Sequence, residues 1–463
     1  MCIVVTKSPP EIVRPSEPVT TTAATGKIIF SPFDKPLATV PVVVLQVFEH
    51  PIHEPVETIR RGLSQALVHY YPLAGRLAGD DYDDVHIDCT GEGVTFVAAN
   101  ADCTVKELTR DIDRRSPDAA KAVLRELIVD YPANGFGRDD PLVLMQVTAF
   151  TCGGFVVGVT WNHGAADGFG IAQFLQAVGE LARGLPTTSV IPVRSDKSLQ
   201  AMSSSTVMAA KQFMFGVKPT TLALHSITIP ARVINGVRAP TPTCTVFEAV
   251  AAVMWRCRTR VVMSDPDAPT VLAITVNSRK YVGVKDGYYG NCATMQMAMA
   301  RSGVVADGDM MEVVRAIRRA KEEIPERLKK GDVIGDLTTE QVTGYEGVLL
   351  VTCWRNIGVH SPPSSSGHRL IQAKFWPPPQ CHCQPPSFLT CQIRPPGEWG
   401  SPDLKSLSYL PLSQGRCRRT KLIVQLHEDY SDHDHRPHYQ LIDDLACDAT
   451  PMADILPRYL LAD

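Results

Sequence analysis

Long apolar runs are missing from this chain. The longest stretch, Pro41 to Phe48, has Gln46 inside it and falls far short of the roughly 20 residues that cross a bilayer, so neither a membrane span nor membrane attachment is expected. The start, Met1-Cys2-Ile3-Val4-Val5, has no basic leader and no apolar run of signal-peptide length, which makes the cytoplasm the expected location. An excess of one charge is missing too. Lys+Arg 46 against Asp+Glu 49 leaves a net charge of −3, with no overall footprint for a nucleic-acid partner. The 13 cysteines are odd in number and irregularly spaced, unlike a disulfide framework, and read as reduced thiols. There is no Gly-x-Ser-x-Gly elbow, no Gly-x-x-x-x-Gly-Lys phosphate loop and no Gly-x-Gly-x-x-Gly fingerprint. Hydrolase, NTPase and dinucleotide-binding readings thereby lose their best support. What is present is 44% hydrophobic and 21% charged residues over 463 positions, a globular composition long enough for two or three domains.

Along the chain the periodicity is mixed α and β. The first thirty residues, with Pro9-Pro10, Pro15 and Pro18, read as an ordered lead-in ending in the turn Ser31-Pro32-Phe33-Asp34. Val42 to Phe48 reads as a buried strand, and Val56, Ile59, Leu63, Leu67 and Tyr70 recur at helical spacing after it. Pro141 to Phe150 and Gly154 to Trp161 form a hairpin candidate around Cys152-Gly153-Gly154. From near Asp167 a helical face of Phe169, Ala172, Phe174, Leu175, Val178 and Leu181 runs to Gly184. A crossover follows. Thr243 to Arg260 is a helix with Thr245 as N-cap and Glu248 three residues later, a capping-box pattern. Val271 to Val276 and Val348 to Trp354 read as strands, and Met311 to Leu328 as a charged amphipathic helix.

The chemistry concentrates at His163-Gly164-Ala165-Ala166-Asp167-Gly168, between a strand and a helix. An imidazole held at a sheet edge can act as a general base, since its ordinary pKa near 6.5 lets it accept a proton at neutral pH. The spacing by itself decides nothing: 13 histidines, with Asp at roughly one position in sixteen, give about 0.8 His-x-x-x-Asp matches by chance. Asp167 as a helix cap and His163 as a satisfied core histidine is the bland alternative.

The surrounding residues go further. Trp161-Asn162-His163-Gly164-Ala165-Ala166-Asp167-Gly168 resembles the signature of the BAHD family of plant CoA-dependent acyltransferases. Tyr71-Pro72-Leu73-Ala74-Gly75-Arg76-Leu77, Val276-Asn277-Ser278-Arg279, Tyr288-Tyr289-Gly290-Asn291 and the strand Tyr345 to Trp354 resemble further landmarks of that family, in the same order, over about residues 1 to 358. The resemblance implies two chloramphenicol-acetyltransferase-like α/β domains with mixed sheets, residues 1–185 and 215–358, joined by a crossover at 186–214 and meeting at an interface channel. It implies a monomer that uses acyl-CoA as co-substrate and a small-molecule alcohol or amine as acceptor, with no metal and no tightly bound cofactor. It makes His163 the general base and Asp167 a structural residue paired with Arg279. Gly164 and Gly168 would leave room near the imidazole or simply make the tight turn.

After Gly358 the chain departs from the family pattern. Where the family carries Asp-Phe-Gly-Trp-Gly, this chain reads Val359-His360-Ser361-Pro362-Pro363, and Gly397-Glu398-Trp399-Gly400 is only a distant echo. Residues 359–463 form a Pro/Cys/His-rich tail, with Pro377-Pro378-Pro379, Pro385-Pro386 and Pro395-Pro396. Such composition is not expected to continue a sheet, which leaves the second domain incomplete, and its abrupt onset is what an altered reading frame or a mispredicted exon would produce. Cys381-His382-Cys383 and His433-Asp434-His435 lack the paired spacing of a structural zinc site.

Overall fold

The computed structural model describes residues 3–18, 26–79, 84–114, 117–131, 136–199, 223–229, 231–241, 243–329, 348–353, 368–374, 388–393 and 420–426. The expectations placed on Tyr345 to Gly347, Trp354, Gly397 to Gly400, Cys381 to Cys383 and His433 to His435 lie outside these residues.

The first part of the chain supplies β1 (Val5–Lys7), β2 (Glu11–Val13), β3 (Lys27–Ile29), β4 (Pro41–Phe48), β5 (Arg76–Ala78), β6 (His86–Asp88), β7 (Val94–Ala101), β8 (Val143–Phe150) and β9 (Phe155–Asn162). The later part supplies β10 (Ala223–Ile229), β11 (Pro269–Asn277), β12 (Ala293–Arg301), β13 (Val348–Cys353), β14 (His368–Lys374), β15 (Phe388–Ile393) and β16 (Thr420–Leu426). A first, seven-stranded sheet runs β1-β7-β8-β9-β4-β14, with β2 also pairing to β7. A six-stranded sheet runs β10-β16-β15-β13-β11-β12, and β3, β6 and β5 form a small third sheet. Both large sheets are mixed: β7 and β8 are parallel in an otherwise antiparallel first sheet, and β11 and β12 are antiparallel in an otherwise parallel second one. The α/β fold class with mixed sheets is therefore as the sequence implies.

The β-branched run of β4 follows from burial on both faces. Val42 and Val44 join the core shared with Leu63 and Phe174, on the helices Pro55–His69 and Gly168–Ala182. Val43, Leu45 and Val47 point the other way, into a cluster with Leu108 and Leu124 from the helices Val105–Arg114 and Pro117–Arg125. A strand covered on both sides needs apolar residues at every position, so alternation disappears. β11 behaves similarly. Leu272 and Ile274 pack with Trp255 of the helix Val246–Val262, while Val271 and Ala273 pack with Phe33 and Tyr288. Phe33, from the lead-in, is thus part of the second sheet's core.

Two expectations change. Residues 359–463 do contribute strands: β14 pairs antiparallel with β4, and β15 and β16 lie inside the second sheet. The physical reason is that the prolines stand between these segments and not within them. His368–Lys374 and Phe388–Ile393 contain none, and proline is excluded from strand interiors only. The amphipathic run from Met311 divides into helices Met310–Glu322 and Ile324–Lys329, because Pro325 has no N–H to continue the ladder. The lead-in is ordered as expected, and it joins the first sheet through β1 and β2.

Candidate active site

β9 ends at Asn162, and the helix Gly168–Ala182 begins five residues after the histidine, so His163 stands on the loop that joins them. The loop is built from local polar chemistry. Asp167 caps the helix, its Oδ1 accepting from the Gly170 backbone N–H at 2.9 Å. The buried indole of Trp161 donates to the Ala166 carbonyl at 2.9 Å. Asn162 donates to the Ala38 carbonyl and accepts from the Gly164 N–H, and His163 N–H donates to the Val40 carbonyl at 2.7 Å. A Cβ at Gly164 would stand 2.7 Å from the Ala38 Cα, so only glycine fits there. Gly168 is the first helical residue, half-buried. The closest approach of the other half of the molecule falls at Gly170 instead, where a Cβ would meet the Tyr289 carbonyl oxygen at 1.8 Å.

Arg279 and Asp167, far apart in sequence, meet in a two-pronged ion pair. Arg279 Nη1 donates to Asp167 Oδ2 and Nη2 to Oδ1, both at 2.9 Å. The remaining donors are used as well, Nη2 to the Gly290 carbonyl at 2.7 Å and Nε to that of Tyr288 at 3.1 Å. Asp167 Oδ2 also accepts from the Cys292 N–H at 3.1 Å. Burial opposes the Arg279 charge, and Asp167 outweighs it, holding the guanidinium above the ordinary arginine value.

A second buried pair lies on the other side of the loop. Asp34 is fully buried, and Arg194 Nη2 lies 3.2 Å from its Oδ2. Asn291 donates to Asp34 Oδ1 from its backbone N–H at 2.9 Å and from its side chain at 2.8 Å. Ser31 donates to Asp34 Oδ2 through both its N–H and its hydroxyl. Sequence reasoning singled out none of these as site residues. Asp34 sat in a recognised turn and Asn291 in a family landmark, each without an assigned role, and Arg194 lies in the crossover with no local pattern to mark it.

The His163 side chain is half-buried. Burial pushes its pKa below the ordinary 6.5, opposed by its own backbone carbonyl, Asp167, Asn291 and Asp34. The imidazole is therefore neutral at pH 7, with a lone pair for a proton. Its titratable neighbours cannot take this role. Burial pushes the Cys292 thiol up to about 12 and raises the phenols of Tyr288 and Tyr289. Among the described residues no group of three or more His, Cys, Asp or Glu side chains is arranged to hold a metal ion, and no helix is long and apolar enough to cross a membrane.

A family model described as Transferase family matches residues 3–225 and 231–361. The chain is 52% identical over 391 residues to acyl transferase 15 of Oryza sativa subsp. japonica, covering 82% of this chain and 89% of the relative. It is 31% identical over 387 residues to a myricetin 3-O-glucosyl 1,2-rhamnoside 6'-O-caffeoyltransferase of Crocosmia x crocosmiiflora, covering 78% of this chain and 86% of that protein. Among solved structures, vinorine synthase superimposes with a TM-score of 0.60 at 18% identity, over 84% of this chain and 92% of that one.

Proposed function

This chain belongs to the Transferase family, the BAHD acyltransferases, and on that premise we propose that it moves an acyl group from acyl-CoA to a hydroxyl or amine of a plant specialised metabolite, with His163 as general base. The observation that carries the reading is a half-buried imidazole, its pKa held below the ordinary value by burial, on a loop braced by buried polar contacts. His163 takes the proton of the acceptor hydroxyl or amine as that atom attacks the thioester carbonyl. The carbon–sulfur bond then breaks, and coenzyme A leaves with the proton returned from the imidazolium. A thioester is already activated, so the protein's work is to supply a base and to hold two substrates in register. Asp167 acts through geometry, with both carboxylate oxygens committed to Arg279 and the helix cap. The caffeoyltransferase of Crocosmia is by its name an O-acylating relative, which favours a hydroxyl acceptor.

The test is acyl-CoA turnover followed by release of the free coenzyme A thiol. His163→Ala should fold normally and lose about 100- to 10,000-fold in rate, the contribution of a positioned base; equal release by wild type and variant sinks the assignment. A second reading, an acyltransferase-like protein with impaired catalysis, is favoured by the missing Asp-Phe-Gly-Trp-Gly after Gly358, close to where the family match ends. A wild-type chain that melts cooperatively yet releases no coenzyme A from any acyl-CoA offered would favour it. Sequencing the native transcript from the codons for Tyr345 onward shows whether the motif is restored there.

A further inference from the structure

The carbonyls of His163, Gly164 and Ala165 point, one after another, at side chains from outside the loop. Asn291 Nδ2 donates to the His163 carbonyl at 2.8 Å and to that of Gly164 at 3.3 Å. Arg194 Nη2 donates to the Gly164 carbonyl at 3.0 Å, and Nε to that of Ala165 at 3.1 Å. Asp34 holds both donors from behind, paired with Arg194 at 3.2 Å and bonded to Asn291 at 2.8 Å. Arg194 also stacks near Phe30 and Tyr289, its guanidinium carbon 5.6 Å and 6.0 Å from the two ring centres. The three residues come from the lead-in, the second part of the chain and the crossover, and they meet only beneath the loop. We propose that Asp34, Arg194 and Asn291 are positioning residues, a clamp that fixes the main chain under His163 and so aims its imidazole.

A buried ion pair is a poor device for stability alone, because the desolvation of both charges offsets their attraction and an apolar pair of similar volume does as well or better. Its advantage lies in directed bonds. A guanidinium whose Nη2 faces both a carboxylate and one carbonyl while its Nε donates to the next carbonyl defines the path of the backbone. Positioning matters here because a displacement of about 1 Å at a reacting group costs on the order of a hundredfold in rate.

The clamp rests on His163 being the base, and its test is chosen to fail separately from that reading. In the full-length chain, amide hydrogen exchange at residues 163–165 should rise at least about tenfold in Arg194→Lys and Asn291→Ala, while the β8 and β9 amides keep wild-type rates. Arg194→Lys retains the charge and loses the fork, which keeps the comparison informative if Asn291→Ala folds poorly. Where turnover is measured, kcat should fall about ten- to a hundredfold with the KM for acyl-CoA unchanged. Asp34→Asn supplies the electrostatic readout. The charges facing the imidazole are Asp34 with Arg194 from the lead-in and crossover, and Asp167 with Arg279 from the helix and second sheet; Cys292 and Tyr288 beside them are neutral. Loss of the Asp34 charge should lower the His163 pKa, read by NMR from the imidazole resonance that disappears in His163→Ala, whereas Arg194→Lys leaves it unchanged. Wild-type exchange at 163–165 in all the variants, or a rise spread evenly over both sheets, overturns the clamp even if His163→Ala is inactive. An inactive-site result of the opposite kind, full activity in His163→Ala, would remove the base and leave the exchange data to stand as a backbone property only, which also overturns the positioning role.

Discussion

In the proposed role His163 has to be neutral to accept a proton and still open enough to reach one, and the partial burial of this residue suits both needs. The pH dependence follows with a definite sign. With the folded pKa below 6.5, kcat/KM should stay level from pH 8 down to about 6.5 and fall on a limb whose inflection lies below 6.5. A rate profile inflecting above that value would contradict the neutral imidazole. Stability moves the same way, because the unfolded chain binds a proton at this histidine near 6.5 and the folded chain does not, so folding is weakened as pH drops below that value. Asp167 is the other residue whose loss is readable. Asp167→Ala strands the Arg279 guanidinium, with its side chain 17% exposed, and removes a helix cap. Breaking such a buried pair costs about 3–5 kcal/mol, so thermal denaturation should show a large loss beside the loss of rate. If the variant melts like wild type, the pair is not holding the loop.

At the scale of elements, the helix Gly168–Ala182 joins the loop to the rest of the molecule, and two of its glycines separate packing from propensity. Gly170→Ala would drive a methyl against the Tyr289 carbonyl, a backbone atom that can yield only if the whole segment moves. Overpacking of this kind costs about 1–3 kcal/mol. Gly179→Ala, whose nearest neighbour is the flexible end of Arg183 at 3.4 Å, should instead gain about 0.5–1 kcal/mol from helix propensity. Chemical denaturation of the two variants checks both signs at once. This contrast could not be seen in the sequence, where Gly164 and Gly168 were the glycines singled out and Gly170 was not. The capping box at Thr245 and Glu248 was visible, since it is a local pattern with a local cause. The same holds for the hairpin of β8 and β9 around Gly153, which sits at φ +81. Where sequence reading erred, composition averaged over a long window hid short segments: the prolines of residues 359–463 masked the proline-free runs that become β14 and β15.

For the whole molecule, the Arg279–Asp167 pair and the Asn291–Asp34 bonds tie the second sheet's side of the chain to the first. We expect β9 and β11 to open together in native-state hydrogen exchange of the wild type, and separately in Arg279→Met, where the strongest of these ties is cut. Exchange that is already independent in wild type would mean the two sheets unfold on their own. What the sequence alone determined is whatever depends on neighbours along the chain: the α/β character, the strand-loop-helix setting of His163, the cap at Asp167 and, through the order of its landmarks, the family with Arg279 as the partner of Asp167. Only the tertiary structure decided that Asp34, Arg194 and Asn291 belong to the same site and that Gly170 is a point of contact. Those residues are separated by long stretches of chain, their local sequence assigns none of them a role, and their chemistry arises from distances that folding alone creates.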